Sequence, residues 1–348
     1  MDDNKLNQHD YNCEIIAEIA NSHCGDFSSI QKLITHVSAA GCKNIKFQIF
    51  DPNQLVTKNH KDFLLFKSLC FSKDQWFEIA NLCKRFKLKI YFDVFDLDSL
   101  ELSLKLNPSG YKIHSTNIDD EYFIKKVSNN TNELIISTGG SYLTEVESAI
   151  NWSISANKKI IIFLMSGIQN FPTSLSDTNL SKIFDLKDKF GSISNIRFGL
   201  QDHISGDDKM ASIVPLIARA MNYNIIEKHI TLDRSKKDND YYSSLNPDEF
   251  SELINNWNKF GEIIGSQKYL SDTISDQEKK YRLFSKKYAV AKTELKKGTR
   301  LKQKHILFKR TGLGEEGMNR IAIKKYLDKK IIKNIDEDYV INRDCFES

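Results

Sequence analysis

The chain has 348 residues, 40% of them hydrophobic and 28% charged, with 50 Lys plus Arg against 46 Asp plus Glu and only five prolines. This balance excludes a disordered or low-complexity chain and supplies enough apolar side chain for a sizeable core. No basic leader with an apolar centre opens the sequence and its apolar runs fall short of the roughly 20 residues that span a bilayer, so a cytoplasmic protein with no membrane partner is expected.

Eight short apolar runs then follow in order: CEIIAEIA (13–20), NIKFQIF (44–50), LKIYFDVF (88–95), YKIHS (111–115), ELIISTG (133–139), KIIIFLMSG (159–167), NIRFGLQDH (195–203) and NIIEKHIT (224–231). They are rich in Ile, Phe and Val, and helix-like stretches separate most of them, which predicts an α/β fold, a (β/α)8 TIM barrel. Helices are predicted over 28–41, 72–86 and 246–264, where apolar residues recur at i, i+3 and i+4. Ser72 and Asn246 precede the last two, with Gln75 and Glu249 at capping-box spacing. The segment DPNQLVTKNHKDFLLFKSLC (51–70) widens the gap between the second and third runs and is expected to loop over the barrel mouth. A polar stretch from Ser266 to Tyr288 reads as a helix-ended linker, and beyond it the alternating texture around a turn at Lys297 and Gly298 predicts a compact β module. The domain assignment is therefore barrel 1–268, linker 269–285 and tail module 286–348. The six cysteines form no C-x-x-C pair, so reduced thiols are expected rather than a disulfide framework or a thiolate metal site.

Charge is unevenly placed: residues 286–348 hold 17 Lys plus Arg against 9 Asp plus Glu, a surplus that leaves the rest mildly acidic. The tail has few aromatics and no reader motif, so nucleic acid is not the expected partner; a basic module near a site for anionic substrates fits better. Strand parity places Lys46 with Gln48, and Glu227 with His229, on common inward faces near the ends where barrel active sites lie. Lys46 and Lys112 would be costly inside a barrel without anions. An anionic phosphate or carboxylate ligand is one reading, ahead on placement, and pairing with a carboxylate such as Glu18 or Asp93 is the other. His203 and His229 close the seventh and eighth runs. Two imidazoles with oxygen donors suit Mn²⁺, Mg²⁺ or a similar open-site metal, whereas His9, His36, His60 and His305 read as ordinary core or surface residues.

The segments IAEIANSHCGD, KNIKFQIF, YKIHST, STGG, NFPT, DHISGDD, IEKHITLDR and SSLNPDEF, in this order, resemble the N-acetylneuraminate (sialic acid) synthase family. The tail, with ELKKGTRL and LFKRTGLG, resembles that family's C-terminal antifreeze-like (SAF) domain. The resemblance implies condensation of phosphoenolpyruvate (PEP) with an N-acetylated hexosamine-type aldehyde, giving a nine-carbon 2-keto acid and phosphate. It implies Glu18 as the residue that activates water or moves the proton, and His203 and His229 as ligands of a divalent metal, Mn²⁺ first, with Mg²⁺ or Co²⁺ as alternatives. Lys46, Lys112, Ser115, Ser137 and Asn170 match PEP-gripping positions, and Gln48 and Asp240 match sugar contacts. Arg310 matches an arginine delivered into a neighbouring subunit's barrel, which implies a domain-swapped homodimer. The sequence departs from the family at Asp93 (usually Thr), Gln201 (usually Ser), Ser166 (usually His) and Ala20 (usually Gly). These departures concern the donor pocket and keep open a catalytically silent sugar-binding paralogue; fold analogy alone adds a metal-dependent pyruvate aldolase.

Overall fold

The computed structural model describes residues 13–265, 274–311 and 317–347, and the chain divides into two compact units, Met1–Ser266 and Gln267–Ser348. In the first unit the strands are β1 (Glu14–Glu18), β2 (Asn44–Ile49), β3 (Lys89–Val94), β4 (Gly110–Ile113), β5 (Glu133–Ser137), β6 (Ile161–Ser166), β7 (Ile196–Asp202) and β8 (Ile225–His229). Seven lie within the predicted runs, and β4 starts one residue before its run, at Gly110. They close in chain order into a parallel barrel, β8 pairing back onto β1 with Glu18 opposite His229.

Alternation along the strands explains both faces of this sheet. Outward-pointing Ala17, Ile45, Phe47, Phe92, Ile136 and Ile226 pack against helix residues such as Ile30, Leu33, Ile79 and Phe250 in one continuous core. Inward-pointing Ile16, Tyr91, Ile135, Met165 and Ile225 form a small apolar plug. Gly199 leaves room for it, since a Cβ there would lie 2.1 Å from Met165 Sδ. Two residues further along β1, β3, β5 and β8 the inward positions are polar, Glu18, Asp93, Ser137 and Glu227, and that change of layer is where the site begins.

Helix ends follow local chemistry. Gln75 and Ser72 bond reciprocally at 2.9 and 3.2 Å ahead of the helix Lys73–Arg85. Glu249 accepts the Asn246 N–H at 2.7 Å ahead of the helix Pro247–Ile264. The first helix, Phe27–Ala39, is capped by Asp26, which accepts the Ser29 N–H at 2.7 Å, so it starts one residue before its predicted position. The 51–70 insert is not a plain loop. It carries two short helices, Pro52–Leu55 and Phe63–Ser68. The first is started by an Asp51 cap and a proline in its opening turn.

The second unit has a helix, Asp276–Ser285, and an antiparallel pair, β9 (Lys287–Ala291) and β10 (Ile306–Arg310). Ala289, Leu301, Ile331, Ile335, Ile341 and Cys345 form its core, and Gly298 turns at φ +91°. Of the segment read as a linker, 269–273 lies outside the described residues and the remainder is mostly that helix. His9 and residues 312–316 of the tail also lie outside them. All six cysteines are free thiols. Among the described residues no helix is long and apolar enough to cross a membrane.

Candidate active site at the barrel mouth

A cavity of about 460 Å³ lies at the strand ends. Its polar side takes in Glu18, Gln48, Lys112, Glu227, His203 and His229, with Asp240 from the loop after β8. Its apolar lining is Phe50, Phe95 and Phe171, with Leu55, Val56 and Phe66 contributed by the insert.

The floor is one buried charge network. Lys46 Nζ contacts Glu18 Oε2 and lies 3.2 Å from Glu227 Oε1 and 3.6 Å from Asp93 Oδ2. Lys112 Nζ lies 2.9 Å from Glu227 Oε1 and 3.7 Å from the same Asp93 oxygen. Strand register builds this ring, because Glu18 pairs with Lys46 across β1–β2 and Asp93 with Lys112 across β3–β4. Of the two readings open for the lysines, the structure shows carboxylate pairing: three carboxylates answer two ammonium groups. Burial pushes the Glu18 carboxyl up to about 8, with Glu227 adding to the rise and Lys46 and Lys112 opposing it. Burial would raise Glu227 as well, but Lys112 and Lys46 outweigh it and hold that carboxylate well below the usual range. For Lys46, burial is outweighed by Glu18, Glu227 and Asp93, and the ammonium form is strengthened. Burial thus favours the protonated form of Glu18, which also accepts the Ala20 N–H at 2.8 Å.

Above the floor the two imidazoles face each other, ring centroids 5.2 Å apart, with the Phe171 ring set edge-on to His203 at 4.7 Å. Burial lowers His203 to about 3 and, together with His203 as a neighbour, takes His229 well below its ordinary value. Both rings are neutral and able to ligate. His203 Nδ1 lies 3.0 Å from the Ile168 carbonyl, which can only accept, so the proton sits on Nδ1 and the Nε2 lone pair is free. The Nδ1 of His229 is buried without a hydrogen-bond partner. Among the described residues no cluster of three His, Cys, Asp or Glu side chains could hold a metal. The pair therefore fits an open site that takes its remaining ligands from water or substrate, and not a closed structural one.

The other expected residues divide. Gln48 and Asp240 line the cavity; burial raises the Asp240 carboxyl, opposed by the Asn21 N–H, which it accepts at 2.8 Å. Lys46 lies beneath the surface, fully buried. Ser137 is sealed under Gln201, whose Nε2 donates to its Oγ at 2.7 Å. Gly167 permits this approach, since a Cβ there would meet the Gln201 carbonyl at 2.2 Å. Ser115 and Asn170 do not line the cavity; their neighbours His114, Thr116 and Gln169 do. Arg310 is exposed at the end of β10 in the second unit. Ser166, one of the departures, points to the outer side of β6, where its hydroxyl meets the Gly199 carbonyl and the Tyr223 hydroxyl. Glu227 was assigned no role, and Gln169, His114 and Asn21 were not expected at the site. Parity alone put Glu227 on the inward face, and no sequence signal marked the loop residues.

A closed parallel eight-stranded barrel with its polar cavity at the strand ends has the architecture of a barrel enzyme. Residues 33–269 match the NeuB family, and the chain belongs to that family. It is 29% identical to the N,N'-diacetyllegionaminic acid synthase of Campylobacter jejuni, over 92% of this chain and 98% of that one. An uncharacterized protein of Methanocaldococcus jannaschii is 30% identical, over 94% of this chain and 92% of its own. Among solved structures, the N-acetylneuraminic acid (sialic acid) synthetase of Leptospira borgpetersenii superposes with a TM-score of 0.68 at 26% identity, covering 78% of this chain and 92% of that chain.

Proposed function

We propose that the protein is a PEP-dependent nonulosonic acid synthase that condenses PEP with an N-acetylhexosamine-type aldehyde. A C–C bond forms between carbon 3 of PEP and the aldehyde carbon, water adds at carbon 2, and the C–O bond to phosphate breaks. The products are a 2-keto acid and inorganic phosphate.

The observation that carries this reading is the joining, in one cavity, of Glu18, whose carboxyl burial pushes up, with the Lys112 ammonium group and the two imidazoles of His203 and His229. Glu18 gives its proton to the aldehyde oxygen as the new bond forms and, once ionised, takes one from the water that adds to carbon 2. Lys112 is the ammonium group that both joins the network and lines the cavity, so it meets the anionic donor. Gln48 and Asp240 orient the sugar hydroxyls. His203 and His229 would hold the divalent ion, Mn²⁺ ahead of Mg²⁺ or Co²⁺, which supplies Lewis-acid polarisation of the aldehyde oxygen. Arg310 is read as a contribution from the second copy of a domain-swapped dimer.

The test is phosphate release from PEP with Mn²⁺ and a panel of N-acetylhexosamines, read together with mass spectrometry of the keto acid. Wild type should release one phosphate per keto acid formed with at least one acceptor, and His229→Ala should lose metal-dependent turnover while keeping a folded barrel. A second reading, a silent sugar-binding paralogue, is favoured by one observation, the carboxylate of Asp93 inside the donor floor. Sugar binding by calorimetry with no phosphate from any acceptor would establish it.

A further inference from the structure

Asp93 is fully buried, and neither of its carboxylate oxygens has a hydrogen-bond partner. A carboxylate in that position is normally satisfied by N–H or O–H donors. This one is held only by charge, 3.6 Å from Lys46 and 3.7 Å from Lys112. It is also the carboxylate the network could most easily do without. Glu227 already makes the close contacts to both lysines, at 3.2 and 2.9 Å, and Glu18 contacts Lys46. Without Asp93 the floor would hold two ammonium groups against only two carboxylates, Glu227 and Glu18, at the end of the cavity that Lys112 reaches. With it, the floor has no positive surplus to offer an entering anion.

We infer that Asp93 is a specificity-determining residue for the donor: its carboxylate occupies the electrostatic place between Lys46 and Lys112 that a phosphoryl group's charge would otherwise fill, and so weakens the hold of this cavity on phosphorylated anions. The inference rests on the reading that an anionic donor enters here. Gln201 acts in the same direction, since its carboxamide covers the Ser137 hydroxyl that could otherwise face the donor.

The experiment is calorimetric titration of the full-length protein with inorganic phosphate at fixed pH, for wild type, Asp93→Asn and Asp93→Glu. Asp93→Asn keeps the shape and removes the charge, and should bind phosphate at least tenfold more tightly than wild type. Asp93→Glu keeps the charge and should stay within about threefold of wild type. Adding Lys112→Gln to Asp93→Asn should cancel the gain. Equal or weaker binding by Asp93→Asn, or equal gains in the Asn and Glu variants, overturns the inference. If Asp93→Asn does not fold, Asp93→Ser is measured in its place; failure of both to fold means that the carboxylate is needed to hold the lysines, which also overturns it. Because binding is read without turnover, the two readings separate. Tighter phosphate binding with no phosphate release from PEP defeats the proposed reaction alone, and release from PEP without tighter binding defeats the role of Asp93 alone.

Discussion

Glu18 shows how one side chain links folding to chemistry. Held near 8 in the fold and near the ordinary glutamate value when unfolded, it binds a proton in the folded state that the unfolded chain has released between those two pH values. The folded state then holds more protons, so stability falls as pH rises through that window, a contribution fully present below about 4.5 and lost above about 8. Glu227 has the opposite sign: its depressed value stabilises the fold above the ordinary glutamate range and is lost on acidification. Glu18→Gln removes only the first effect. Its melting temperature should fall less than that of wild type between about pH 5 and pH 8.5, while turnover drops by about 10²–10⁴ through loss of the proton carrier. Equal slopes for the two proteins would show that Glu18 is ionised throughout.

At the scale of elements, the eight strands were legible because each is a short β-branched or aromatic run, and their polar ends were legible because parity has a period of two. What parity could not supply is the partner across the barrel. Lys112 and Glu227 are 115 positions apart, and Gln201 and Ser137 are 64 apart, so the pairing of the lysines and the sealing of Ser137 emerge only when the sheet closes. The loops failed for a different reason. Beyond a strand end no period operates, so Gln169 rather than Asn170, and His114 and Thr116 rather than Ser115, reach the cavity. The insert is an intermediate case: its place over the mouth follows from its position after β2, whereas its two helices depend on the Asp51 cap and on aromatic packing, with Phe50 edge-on to Phe66 at 5.6 Å and to Phe95 at 6.0 Å. These side chains present hydrocarbon to the cavity, where an acyl methyl or a deoxy carbon of the acceptor can shed water. Phe66→Ala should raise KM for the acceptor by about tenfold, the effect of losing about 1.4 kcal/mol of apolar contact, and leave KM for PEP unchanged. A parallel rise in both constants would mean that the insert shapes the floor instead.

For the whole molecule, the question is why a mildly acidic barrel is joined to a strongly basic tail. Residues 286–348 carry all of the surplus positive charge, and Arg310 stands exposed there, paired in register with Lys287. If that arginine serves the barrel of a second copy, it adds a positive charge at a mouth whose own floor has none to spare, and each site becomes the product of two chains. Light scattering should then give twice the 40.1 kDa of one chain, and Arg310→Ala should lower kcat/KM by about 10², the scale of a charge-assisted contact to an anion. Complementation decides between the two arrangements. Glu18→Gln and Arg310→Ala are each impaired alone. In a mixed dimer that shares arginines between chains, the Arg310→Ala subunit keeps its own Glu18 and receives Arg310 from its partner. Random mixing at equal amounts puts about half of the dimers in this form with one working site each, so about a quarter of wild-type activity should return. If Arg310 serves its own barrel, every site in the mixture lacks one of the two groups and mixing restores nothing.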